Sequence, residues 1–207
     1  MGSYWRLQTA CGAIAAALVI GVILVSSWLA EPSTFAWRHR ALSDMGRADA
    51  RTFALFNGGL AGAGVLGIGF VPRVQDLSQN RLQRLGAIAL AGSLAGLAGA
   101  GVFFLDHSRV YLPIDLHAPA AIATFTLAPV AAIGFGVGAW EADQRRLAAG
   151  SILAGAIPVA SWLLWLAGAV RGARDWFSVP ELVATVSLAA WLALLVDRSR
   201  RSGPTGE

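Results

Sequence analysis

The sequence predicts an all-α fold, an integral membrane bundle of six transmembrane helices with both the N-terminus and the C-terminus cytoplasmic. Three observations carry that expectation. Hydrophobic residues make up 56% of the 207 and charged residues only 14%, where a soluble domain is nearer a quarter charged. The mean hydropathy is +0.61. Six apolar runs, separated by polar breaks, each reach the roughly 20 residues that a helix needs to cross about 30 Å of hydrocarbon.

The remaining composition narrows the partners. All 16 basic residues are arginine, and the net charge of +4 is scattered between apolar runs. No basic patch is interleaved with aromatic residues, so the lipid bilayer is expected as a partner and nucleic acid is not. The single cysteine, Cys11, lies inside the first apolar run and allows no intrachain disulfide.

The first span is read from Leu7 to Trp28 and is closed by Ala30-Glu31-Pro32. It exceeds the short apolar region of a cleavable signal, so it is expected to be retained. A polar loop follows from Glu31 to Thr52, with Phe35 and Trp37 expected at the membrane interface. The second span is Phe53 to Pro72, glycine-rich, followed by a link from Arg73 to Arg84. The third is Leu85 to Leu105. A second polar link, Asp106 to His117, holds two histidines and two aspartates. The fourth span, Ala118 to Trp140, has Pro119 in its first turn, where a missing N–H costs little, and Pro129 inside, where a kink is expected. The fifth is Leu147 to Val170 and contains Pro158. The sixth begins at Val179-Pro180-Glu181 and ends at Val196. Residues 1–196 therefore read as one transmembrane domain, and 197–207 as a polar, disordered tail.

Arginines set the orientation. Nine fall in the links on the side of the termini and seven on the other side, four of those seven in the first loop. This places the chain in the cell membrane with both ends inside. All three histidines and Asp44, Asp49, Asp106, Asp115, Asp175 and Glu181 then share the outer side. Small-residue spacings, Gly58 with Gly62, Gly92 with Gly96 and Gly134 with Gly138, predict close packing of the second, third and fourth helices.

Between Trp37 and Asn57 the chain concentrates four arginines, two aspartates and a histidine. A membrane protein places such residues where it meets water, a partner or a substrate. Asp44, in Leu42-Ser43-Asp44-Met45-Gly46, is the first candidate; its alternative reading is a helix cap. Asn57 lies about one turn inside the membrane and needs a partner from a neighbour. Asp106 and His117 offer acid, base or ligand chemistry, but their spacing matches no metal motif, and neither a metal nor any other cofactor is expected. Glu181 opens the sixth span, where the helix dipole favours an acid. Arg38, Arg40, Arg47 and Arg51 suit a phosphate-bearing ligand.

The stretches Ala41-Leu42-Ser43-Asp44-Met45-Gly46, Leu55-Phe56-Asn57-Gly58-Gly59-Leu60, Gly101-Val102-Phe103 to Asp106 with His117, and Val179-Pro180-Glu181-Leu182 resemble a prokaryotic family of multi-pass membrane proteins known only as a domain of unknown function. The resemblance extends over nearly the whole chain and singles out Asp44, Asn57, Asp106, His117 and Glu181, without implying a reaction. A more distant likeness links the chain to the Frag1, DRAM and Sfk1 six-span membrane proteins, which are associated with lipid handling and autophagy.

Three functions stay open at this level. A polar extracytoplasmic site binds a lipid head group, an anionic lipid included, or a small ligand. Alternatively the chain is an intramembrane enzyme acting on a lipid or isoprenoid by carboxylate and histidine acid–base chemistry. As a third reading it is a subunit of a larger membrane assembly, its glycine faces packing against other membrane subunits.

Overall fold

In a bilayer every backbone amide must find its partner within the protein, and a helix achieves this locally. The computed structural model describes residues 4–202, and these fold into six long helices joined by turns and two one-turn 3-10 segments. The helices are α1 (Tyr4–Leu29), α2 (Phe53–Asp76), α3 (Arg81–Val102), α4 (His117–Glu141), α5 (Arg145–Val170) and α6 (Ser178–Arg201). All six are long and apolar enough to cross a membrane. The chain is a multi-pass membrane protein.

Several helices run further than hydropathy alone predicts. α2 continues through Pro72 to Asp76, because the ring removes only the hydrogen bond to the Ile68 carbonyl while the turns on either side keep theirs. α3 starts at Arg81, not Leu85, since the Asn80 side chain caps it by accepting the Gln83 N–H at 3.0 Å. The expected link 73–84 thus shrinks to a turn between Asp76 and Arg81. α6 continues past Val196 through Arg201, with Arg201 paired to Asp197 one turn earlier at 2.9 Å. Residues 203–207 of the expected tail, like the first three of the chain, lie outside the described residues.

Each helix packs on its neighbours in sequence, and α1 closes on α6, so the six form a ring. Successive helices alternate in direction. One end of the ring carries both termini and the tight turns α2–α3 and α4–α5; the other carries the three longer connections. We call these the terminal end and the loop end. α6 is the most enclosed helix, with 61% of its span buried against 28% for α5, and its Trp191, 1% exposed, donates its indole N–H to Ser151 of α5 at 2.9 Å. Trp191 is therefore a core residue and not the interfacial anchor its residue type implies.

The α2–α3 and α3–α4 seams are the closest. A side chain at Gly64 would meet the Ala98 N and Leu94 O backbone atoms at 2.5 and 2.6 Å, and one at Gly96 would meet the Ala120 carbonyl at 2.7 Å. Backbones approach so closely only where no Cβ intervenes. The expected tight packing of these helices is present, but its glycines differ in part from those the spacing picked out. Gly58 and Gly134 face open space.

Candidate functional site

The first loop is not a solvated connection. Its buried Phe35, Leu42 and Met45 pack into the hydrophobic core, so residues 31–52 fold back over the loop end of the ring as a cover. Phe35, expected at the interface, lies instead in this core, with Trp37 set edge-on against it at 5.0 Å. A buried backbone must have its amides and carbonyls satisfied. The cover closes seven turns on itself, and polar side chains of its own and of the ring supply further bonds.

The candidate residues are largely those side chains. Asp44 sits in the 3-10 turn Leu42–Gly46 and accepts the Ala41 N–H at 3.0 Å. Glu181, from the first turn of α6, accepts the next amide, Leu42 N–H, at 2.6 Å. Asn57 of α2 donates to the Gly46 carbonyl at 2.7 Å. Asp106 accepts the Ala48 N–H at 3.0 Å. Thr52 and Ser178 complete the set by donating to the Met45 and Trp37 carbonyls at 2.7 and 2.6 Å. Asp44, Asn57, Asp106 and Glu181 thus converge on one segment of backbone.

The four arginines do not form a cluster. Arg38 pairs with Asp175 at 2.9 Å, in the connection between α5 and α6, and there Trp176 N–H donates to the Arg38 carbonyl at 2.7 Å. His39 lies 3.4 Å from the same carboxylate. Asp175 is exposed, yet the hydrogen bond from Arg38 holds its carboxyl below the usual carboxylate range. Arg47 flanks Asp44 at 3.4 Å and Arg40 at 3.8 Å. Arg51 is exposed.

Beneath the cover the ring is hollow. A narrow chamber of about 60 Å³, room for a few waters, is bounded by Ile23, Leu60, Leu97, Leu188 and Trp191, with Thr124 and Thr185 as its deeper polar residues. Beside it a groove of about 680 Å³ runs between α4 and α5, walled by Ile122, Phe125, Val130, Val159, Trp162 and Leu163. Ile122, Val130 and Leu163 are 60 to 62% exposed, so the groove opens sideways, toward lipid. The crossing of Gly155 on the Pro129 carbonyl, where a Cβ would come within 2.7 Å, brings α4 and α5 together on its terminal side. Chamber and groove share Ser43, His117, Ala121, Phe125, Pro129 and Glu181.

Three polar side chains therefore meet at the junction: Glu181, His117 and Ser43. His117, the first residue of α4, is 8% exposed, and its Nδ1 lies 2.8 Å from the Phe103 carbonyl. Asp115 caps this helix by accepting the His117 N–H at 3.0 Å. Asp44 is turned into its own loop and borders neither space. His107 is wholly buried in the second polar link, its ring nitrogens on the Phe104 and Ile114 carbonyls at 2.7 and 2.9 Å. Among the described residues, no three of His, Cys, Asp and Glu gather as metal ligands.

The groove itself escaped sequence reasoning. Pro129 and Pro158, prolines in two consecutive helices, were its available signal: Pro129 borders both spaces and Pro158 the chamber.

No curated protein and no solved structure matches the chain. The model of one family, described as a protein of unknown function, DUF998, matches residues 13–197. With six membrane-crossing helices and a match over most of its length, the chain belongs to the DUF998 family.

Proposed function

We propose that this protein binds a membrane amphiphile that enters from the side, between α4 and α5, with its apolar chain in the groove and its polar end at Glu181, His117 and Ser43. One observation carries the reading: an apolar groove open toward lipid ends, inside the protein, at the buried Glu181 and His117 and the half-buried Ser43. Binding sites of this kind combine an apolar wall with a few placed polar groups that fix orientation. The cover seals the polar end from water, and the arginine distribution favours placing it on the extracytoplasmic face of the cell membrane. Arg38, Arg40, Arg47 and Arg51 lie in the cover and suit the phosphates of surrounding anionic lipids.

Ala121 borders both spaces, so Ala121→Trp is expected to fill the junction. Lipids extracted from the purified wild-type protein and identified by mass spectrometry should include an amphiphile near one per chain. The variant should lack it while keeping its thermal stability. Equal recovery from both proteins would sink the reading.

A further inference from the structure

The junction has a chemical polarity of its own. Glu181 is 6% exposed, and its Oε2 takes the Leu42 N–H. Among the described residues the carboxyl has no other hydrogen bond and no cationic partner. A buried carboxyl with an open oxygen is a costly arrangement unless something donates to it. His117 points the same way. A carbonyl can only accept, so the contact with Phe103 requires Nδ1 to carry the proton. In the neutral ring this leaves Nε2 as an acceptor.

Among the described residues no arginine borders the chamber or the groove. Pro129 adds to the imbalance, because its ring lacks the N–H that would bond the Phe125 carbonyl beside the same space. The Trp162 indole N–H has no partner among the described residues, but it is enclosed and does not face the groove. Ser43 can donate or accept, and while Glu181 is ionised it is the one side chain at the junction able to meet a ligand acceptor.

We infer that the ligand's polar end is a hydrogen-bond donor, a hydroxyl or an ammonium group carried on an apolar chain, and that phosphate and carboxylate head groups are excluded. The inference rests on the lipid-binding reading above and adds the class of head group. An ionised Glu181 and the Nε2 of His117, two acceptors facing one space, bind an O–H or N–H donor and repel an anion, and the low-dielectric surroundings strengthen both effects. The phosphate-seeking arginines of the first loop lie elsewhere, so lipid phosphates are met at the surface of the cover and not at this junction.

The test uses the full chain in phosphatidylcholine nanodiscs and four probes with the same twelve-carbon chain: dodecanol, dodecylamine, dodecyl phosphate and dodecanoate. Occupancy is read by native mass spectrometry. The alcohol and the amine are expected to bind about tenfold or more tightly than the phosphate and the carboxylate. Glu181→Gln keeps an oxygen for the Leu42 N–H, so the cover stays in place, which an unchanged melting temperature verifies. This variant should lose about tenfold in affinity for the amine and less for the alcohol, which tells the two donor heads apart. His117→Phe should weaken both.

Dodecyl phosphate binding as tightly as dodecanol, with both lost in Ala121→Trp, would overturn the donor inference and leave the groove reading standing. Binding of all four probes that Ala121→Trp does not change, or no binding of any, would overturn both.

Discussion

The two ends of this ring solve the same problem in opposite ways. At the terminal end the helices are tied directly to one another. Arg198 of α6 donates to the Gln144 side chain at the start of α5 and, at 2.9 Å, to the Leu77 carbonyl at the end of α2. Gln83 of α3 donates to the same Gln144 oxygen at 3.0 Å. Thr9 of α1 and Arg73 of α2 meet Ser199 of α6 at 2.6 and 2.9 Å, and Asn80 donates to the Gly138 carbonyl of α4 at 2.6 Å. All six helices are joined, and the two arginines bond to carbonyls, a hydroxyl and an amide with no carboxylate partner among the described residues. At the loop end, by contrast, carboxylates and an asparagine bind the backbone of a separate segment. The terminal end is a fastening and the loop end is a cover, and it is beneath the cover that chamber and groove meet.

That contrast is open to direct attack. Breaking the fastening should have the largest effect. Arg198→Ala removes the side-chain donor to the Leu77 carbonyl and leaves the Gln144 oxygen with Gln83 alone, at a cost of about 2–3 kcal/mol. In a protein of this size that is roughly 5–10 °C in melting temperature, with faster hydrogen exchange at the terminal ends of α2, α5 and α6 together. A change confined to α6 would show that the network does not act as one unit.

Loosening the cover should have a smaller and local effect. Asn57→Ala removes the donor to the Gly46 carbonyl, worth about 1 kcal/mol. Hydrogen exchange should rise in residues 42–50, while the melting temperature falls by only a few degrees. Equal acceleration at both ends of the ring would erase the distinction drawn here.

The smallest effect concerns the strap between the cover and the α5–α6 connection. Because Arg38 holds the Asp175 carboxyl below its ordinary value, the strap's contribution is present above about pH 4 and is lost as pH falls through the lower folded value. Asp175→Asn should therefore quicken hydrogen exchange in residues 36–40 at pH 7 and make progressively less difference as pH falls below about 4. Both groups are exposed, so the change in overall stability should be slight. A difference between the two proteins that does not shrink as pH falls would assign the effect to something other than the charge.

The contrast also explains which features were legible in the chain. Hydropathy located all six helices, because a segment in hydrocarbon must be apolar along its whole length. It misplaced the ends of α2, α3 and α6, since Arg81 and Arg201 are as helical as their neighbours and hydropathy marks where the hydrocarbon ends, not where hydrogen bonding does. Polar density and the family likeness marked Asp44, Asn57, Asp106 and Glu181 as special. Their partners were invisible, because the amides of Ala41, Leu42 and Ala48 and the carbonyl of Gly46 carry no signature in the side-chain sequence. Ser43 and His117 were both in view as polar residues, but nothing local tells that these two border a space while Asp44 beside them turns away.

What the sequence by itself determined is the number of membrane helices and the side of the ring on which polar residues collect, since the bilayer imposes both on each segment separately. Tertiary structure alone decided which side chains hold the cover and where the ring opens. A groove between α4 and α5 is a property of two surfaces and the crossing of Gly155 on Pro129. No single segment contains it.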